Sequence, residues 1–187
     1  MATDSKIEYT YANLERFPED NLRREIIDGD LIVTAAPARR HQHVVMTLAG
    51  ELYQYVKGHG GRVFPAPTDV FFSDTNVVEP DVLFIRPEHA GRVERKFIRS
   101  APDVVVEVSS PSTRRLELVR KRALYERFGV PEYWYVDLDA DRAEVYSQVK
   151  GAYGPPRILG RGDVLESPQV PSFALAVADL LGPPEED

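Results

Sequence analysis

The chain has 187 residues, 43% of them hydrophobic and 28% charged, enough to bury one sizeable core, and it has no apolar run long enough to span a bilayer. A formal charge of −7 excludes a general basic coat for nucleic acid but leaves room for a local basic cleft. With no cysteine there are no disulfides, thiolate zinc sites or cysteine nucleophiles; any metal has oxygen or imidazole ligands, which favours magnesium, manganese or calcium.

The opening MATDSKIEYTYANLERF lacks a hydrophobic signal core, so a cytoplasmic protein with no membrane partner is expected. Residues 1–9 read as a loosely docked start, and Thr10 as the cap of a short helix over 11–17 stopped by Pro18. EIIDGDLIV then gives two β-prone runs around Asp28-Gly29, a dipeptide suited to a tight hairpin, with Glu25 on the same strand face as Ile27. After a proline-containing loop at 35–38, residues 39–57 carry apolar positions at helical spacing and end at Gly58.

RVF and DVFF, separated by Pro65 and Pro67, read as an edge or bulged strand, and 77–85 as a clearer one. A charged irregular segment covers 86–99. Residues 104–108 (VVVEV) form the most uniformly apolar run, expected as a central strand covered on both faces. Ser110-Pro111-Ser112 breaks it and introduces a helix over 114–128, capped by Ser112 or Thr113 and closed by Gly129. EYWYVD, AEVYSQV and RILG read as an antiparallel meander, 174–181 as a last helix, and the acidic 182–187 as a flexible tail. Without repeats or a composition break, one mixed α/β domain over 1–187 is expected.

Three residues stand out within 77–128. Strand alternation sets Glu79, Asp81, Leu83 and Ile85 on one face, and Val105, Glu107 and Ser109 on one face of the next strand. A carboxylate at the end of VVVEV loses hydration and needs a partner, and the residues alone leave two open: a metal ion shared with Asp81, or an arginine. Lys121 has Leu118, Leu124 and Tyr125 as helical neighbours, whereas Arg120, Arg122, Glu126 and Arg127 read as solvated. Such a lysine either snorkels outward or meets an anion inside. Together the acids could hold a divalent cation, and the cation and lysine could orient water and stabilise charge on a phosphoryl group.

Pro80-Asp81 followed by Glu107-Val108-Ser109 resembles the PD-(D/E)XK motif of restriction-endonuclease-like nucleases, with Ser109 where that motif has lysine. In one branch the lysine comes from the following helix, which suits Lys121. EIIDGDLIV, RRHQHVV, GRVFPAPTDV, VVEPDVLFI, VVVEVSSPSTRR, KRALYERFGVPEYWYVD and the final SP…P…L pattern resemble, in order, the Uma family of bacterial restriction endonucleases from about Glu25 to Leu181. The resemblance implies an α/β mixed-sheet fold: a restriction-endonuclease-like core of helix, three strands, helix and strand, with additional β-strands at both ends. It implies Asp81 and Glu107 as magnesium ligands (manganese also possible), the Val108 carbonyl as a further ligand, and Lys121 positioning or activating the attacking water. Glu25 would be a ligand or support a ligand; a surface strand residue paired with Arg23 or Arg24 is the alternative. DNA is the implied substrate, cleaved to a 5′-phosphate and 3′-hydroxyl, with a homodimer to cut paired strands.

Arg39, Arg40, His41, Arg114 and Arg115 are candidates to touch the DNA backbone, joined by Arg92, Arg95, Lys96 and Arg99 if these clusters converge. His41 and His43, two apart on a helix, do not face each other and read as a solvated pair; His59 and His89 fall in loops without companions. Trp134 and the tyrosines around it alternate as core residues. There is no nucleophile elbow, phosphate loop or dinucleotide fingerprint. Two other readings stand beside the nuclease: a catalytically silent module binding nucleic acid or protein, and a metal-dependent hydrolase of a small phosphorylated substrate.

Overall fold

A computed structural model describes residues 7–18, 20, 22–34, 38–109 and 114–183. Helix α1 (Tyr11–Leu14) precedes a hairpin of β1 (Arg23–Ile27) and β2 (Asp30–Thr34). At its turn Asp28 and Gly29 have φ of 52° and 75°, the left-handed pair that matches strand twist and that Asp-Gly tolerates. Helix α2 (Arg39–His59) is followed by β3 (Arg62–Pro65), β4 (Val70–Ser73), β5 (Asn76–Val78), β6 (Val82–Ile85), β7 (Ile98–Arg99) and β8 (Val104–Val108). A wide π-helical turn over Leu116–Lys121 continues into α3 (Arg122–Arg127). The chain ends in β9 (Glu132–Asp137), β10 (Arg142–Val149), β11 (Ala152–Tyr153), β12 (Arg157–Gly160), β13 (Val164–Ser167), β14 (Val170–Ala176) and α4 (Val177–Leu181).

The main sheet runs β11-β10-β9-β8-β6-β3, with β12 also on β10. Its centre is β8, antiparallel to β6 and parallel to β9, and all five of its residues are buried. The sequence α2, β3, β6, β8, α3, β9 is the expected helix, three strands, helix and strand, extended at both ends by further strands. A second sheet, β2-β1-β5-β4-β7, covers one face.

Strand alternation divides the core. Val104, Val106, Val108, Trp134 and Val136 face α2, α4 and β14, while Val105, Tyr133 and Tyr135 face α3 and the second sheet. Trp134 and its neighbouring tyrosines are therefore core, as their alternation implies.

Several boundaries differ from expectation. Residues 77–85 are not one strand: β5 and β6 belong to different sheets and the chain crosses between them at Glu79-Pro80-Asp81. Pro80 offers no N–H to a ladder, so the run breaks there. The pieces around Pro65 and Pro67 are two strands, not one: β3 is an edge strand of the main sheet, as expected, and β4, with a register shift between Phe71 and Ser73, belongs to the second. Helix α2 passes through Gly58 and stops at Gly60, where φ is 77°. Gly61 follows with φ 88°, and a Cβ there would lie 2.7 Å from the Ile85 carbonyl oxygen, so this corner requires glycine.

The first helix ends at Leu14, three residues short of 17. Tyr9 is docked, donating its N–H to the Gly29 carbonyl at 2.8 Å. The segment 86–99 contains a 3₁₀ turn over Pro87–Arg92 as well as β7. Residues 174–176 are strand, paired with Val164–Glu166, and only Val177–Leu181 is helical. The loop at 35–37, the caps Ser112 and Thr113, residues 1–6 and the tail from 184 lie outside the described residues.

Candidate active site

Strand β8 aims Val106 and Val108 at α2, so Glu107, one residue out of phase, points to the opposite face, toward α3. There Lys121 and Tyr125 meet it. Lys121 Nζ donates to Glu107 Oε1 at 3.0 Å, and the Tyr125 hydroxyl donates to the same oxygen at 2.5 Å. The two donors sit four residues apart on the inner side of the helical segment. The π turn widens the helix just before them, with the Arg122 N–H reaching back to the Glu117 carbonyl. The extra residue shifts the helical face and turns Lys121 inward, a common use of such bulges at functional positions.

Glu25, on β1, completes this side: its Oε1 lies 2.7 Å from Lys121 Nζ and accepts the Glu79 N–H at 2.8 Å. It is 1% exposed, which overturns the surface-strand alternative. Asp81 stands where the chain crosses between sheets. Beyond the Val82–Val106 pair, β6 has ended, and Asp81 Oδ2 takes the Val108 N–H at 2.7 Å in place of a backbone acceptor. The same oxygen meets His41 Nε2 at 3.1 Å, and Oδ1 accepts from Arg23 Nη1 at 2.8 Å. Glu25, Asp81, Glu107 and Lys121 are thus brought together, at most 2% exposed.

Arg23 ties the two halves. Its Nη2 is 3.8 Å from Glu107 Oε2, and its Nε is 3.9 Å from Glu25 Oε2 and 4.0 Å from Glu79 Oε2. None of these is a hydrogen bond, and Arg23 Nε, Arg23 Nη2 and Glu107 Oε2 are buried without a hydrogen-bond partner.

The electrostatics follow from burial and charge. Burial lifts the Glu107 carboxyl to about 7, against the opposing pull of Lys121. Burial acts to lower Lys121, but Glu107 and Glu25 outweigh it and hold the amine above its ordinary value, as an ammonium. Asp81 would also rise by burial, but the His41 hydrogen bond and the Arg23 charge keep it well below the usual carboxylate range. Glu79 is pushed up to about 7 by burial and then by Asp69. Four carboxylates face the side-chain cations Arg23 and Lys121, a surplus of negative charge at neutral to alkaline pH. A cleft of about 430 Å³ opens onto Arg23, His41, Glu79 and Asp81.

No group of three or more His, Asp or Glu side chains arranged to hold a metal exists among the described residues. Two carboxylate oxygens are nonetheless suited to one: Glu107 Oε2, with no hydrogen bond, and Asp81 Oδ1, bonded among the described residues to Arg23. One or two carboxylates, with waters completing the shell, is how magnesium is commonly held, so the donor set fits that ion.

A family model for Uma2, described as "Putative restriction endonuclease", matches residues 10–178. The chain belongs to the Uma2 family. A crystal structure from Anabaena variabilis, described as a "putative nuclease belonging to DUF820", superposes on this Uma2 chain with a TM-score of 0.77 at 20% identity, covering 92% of it and 97% of the other chain. At that identity the likeness speaks to the fold. No curated protein matches. Family and fold together point to a restriction-endonuclease-like nuclease, and no helix of this Uma2 chain is long and apolar enough to cross a membrane.

The basic candidates are placed differently. Arg40 bonds the Leu138 carbonyl at 2.7 Å and pairs with Asp141; Arg114 bonds Asp137 at 2.8 Å; Arg39 and Arg115 are exposed. None of these four lines the cleft. Arg92 caps the Ala101 carbonyl, Lys96 pairs with Glu15 and Arg99 with Glu94, so partners within the chain take up three of the four, and Arg95 lines a different cleft. His41 is not half of a solvated pair: it is buried against Asp81, while His43 is exposed. His59 is the last residue of α2 and stacks on Tyr55, and His89 has a companion in Asp103 at 2.7 Å. Arg120, read as solvated, bonds the Ile27 carbonyl at 3.0 Å.

Sequence reasoning missed Arg23 and the polar role of Tyr125. Arg23 shares a strand face with Glu25 by simple alternation, and a buried phenol within an apolar stripe needs an acceptor, so both carried a signal.

Proposed function

We propose that this chain is a single-domain, magnesium-dependent endonuclease that hydrolyses phosphodiester bonds in DNA. The carrying observation is Glu107 Oε2: a carboxylate oxygen buried at the centre of the fold, unbonded, near a guanidinium that bonds Asp81 Oδ1 and does not satisfy it. Burying a charged oxygen without a partner is unfavourable by roughly several kcal/mol, and a cation relieves it. Asp81 and Glu107 would hold magnesium, with the Val108 carbonyl at the same strand end a further candidate. When bound, the ion would supply Lewis-acid stabilisation to the phosphoryl oxygens and lower the pKa of a water.

The residues of the chain divide the remaining work. His41 and the Val108 N–H hold Asp81 by one oxygen and so leave the other for the ion. Lys121 and Tyr125 do the same for Glu107 by gripping Oε1. Because Lys121 is kept as an ammonium, it acts as a hydrogen-bond donor that positions the attacking water and steadies phosphoryl charge, not as a base. Glu25 stabilises that charged form. Cutting both strands of a duplex calls for two such sites, supplied by a homodimer, which sedimentation would detect.

The test is plasmid and oligonucleotide cleavage in magnesium or manganese, comparing wild type with Asp81→Asn, Glu107→Gln and Lys121→Met. Each substitution is expected to abolish cleavage; activity surviving all three removes the site from consideration. One observation favours a silent binding module instead: Arg40 and Arg114 are committed to partners within the chain. Retained oligonucleotide binding with no cleavage by wild type would identify that case.

A further inference from the structure

We propose that Arg23 is the resident counter-cation of this site, balancing the two ligand carboxylates until a divalent ion displaces it. The inference rests on the proposed metal site. The Arg23 guanidinium spans the very oxygens left free by the other described residues, with Nη1 2.8 Å from Asp81 Oδ1 and Nη2 3.8 Å from Glu107 Oε2. Among the described residues, the other hydrogen bonds to these carboxylates go to the opposite oxygen of each: Val108 and His41 to Asp81 Oδ2, Lys121 and Tyr125 to Glu107 Oε1.

The fit of the guanidinium is half made. One nitrogen is bonded, while Nε and Nη2 are buried with no hydrogen bond despite three carboxylates at 3.8 to 4.0 Å. An arginine evolved as a permanent structural pair would engage both nitrogens of its fork with a carboxylate. Here it balances charge without closing the site, because buried acids left alone are far costlier than acids loosely paired. Its side chain also lines the cleft, which gives it a way out, and removal from Asp81 exposes the oxygens a smaller, doubly charged ion can approach more closely. Metal binding therefore includes the work of breaking the Arg23–Asp81 contact, and Arg23 is a positioning residue that sets metal affinity.

The experiment is calorimetric titration of the intact chain with Mn²⁺ and Mg²⁺, without nucleic acid, for wild type and Arg23→Met. Arg23→Met is expected to bind manganese roughly tenfold to a hundredfold more tightly, the factor that corresponds to one hydrogen bond between charged groups. Equal or weaker binding by the variant overturns the inference and leaves the metal site standing. No binding by either protein overturns both. Should Arg23→Met fail to fold, the wild-type Arg23 Nε–Hε resonance followed by NMR serves instead. It is expected to shift with metal and saturate at the calorimetric Kd; a resonance unmoved at saturating magnesium overturns the inference.

Discussion

Lys121→Met offers the sharpest measurement of how this site is balanced. The ammonium lies 2% exposed between Glu25 Oε1 at 2.7 Å and Glu107 Oε1 at 3.0 Å. Methionine keeps the volume and removes the charge, leaving two buried carboxylates with Arg23 as their near cation at 3.8 to 3.9 Å. Breaking a buried pair by deleting one partner destabilises by about 3–5 kcal/mol, so that loss is expected at pH 8. Protonation of Glu107 then relieves it. In wild type this carboxyl sits at about 7, raised by burial, and removing Lys121 lifts it further.

A carboxyl whose folded pKa exceeds its unfolded value binds more protons when folded, so stability rises as pH falls through the folded value. As pH falls from 8 to 6 the variant therefore regains stability more steeply than wild type, and the gap between them closes by on the order of 1 kcal/mol. Urea denaturation followed by fluorescence of the buried Trp134 reads both numbers. A loss below about 1 kcal/mol at pH 8, or a gap that ignores pH, refutes the burial of charge argued here.

Asp69, raised to about 6 by burial and then by Glu25, destabilises the fold increasingly as pH climbs from its ordinary value through 6, so Asp69→Asn is expected to stabilise by about 1–2 kcal/mol at pH 8 and by nothing near pH 4. Equal urea midpoints at pH 8 would count against it. Tyr125→Phe removes the 2.5 Å donor to Glu107 Oε1 and should lower stability by about 1.5–3 kcal/mol, measured by the same denaturation. A displaced Arg23 in the cleft gains an anion to meet when phosphate arrives, so a non-cleavable oligonucleotide should tighten manganese binding several-fold more in wild type than in Arg23→Met. Calorimetry with and without the oligonucleotide decides this, and equal coupling in both proteins would refute it.

The legible parts of this chain are those where a local rule has no rival. Val104–Val108 is apolar at every position but one, and no packing arrangement leaves such a run at an edge. Asp28-Gly29 fixes its hairpin because few residues accept its two positive φ values. Lys121 stands out for a similar reason: its helical neighbours are apolar, and the inward outcome needs only an acid within reach. What stayed hidden depends on long-range partners. Whether 77–85 forms one strand or two depends on a second sheet whose strands come from elsewhere, and Pro80 alone does not reveal the crossing. Pattern cannot tell a basic residue awaiting phosphate from one spent on its own chain, and Arg40 reaches across 101 positions to Asp141.

Arg23 shows why the distinction matters for function. By pattern it is one more charged residue at the start of a strand, and its alternation with Glu25 invites the reading of a surface pair. The structure instead places its strand in a second sheet that the pattern did not foresee and sets its side chain among Glu25, Asp81 and Glu107. Two acids and a lysine are enough to propose a cation site, but not to say what balances the acids before the cation arrives. Buried carboxylates cannot wait unpaired, so any such site needs either protonation or a provisional cation. Glu107, raised to about 7, uses the first at low pH; above it Lys121 holds one oxygen and Arg23 provides the provisional cation for the other. A protein that relied on protonation alone would lose metal-free stability more steeply than wild type as pH rises past 7, and Arg23→Met is the variant that would expose that steeper loss.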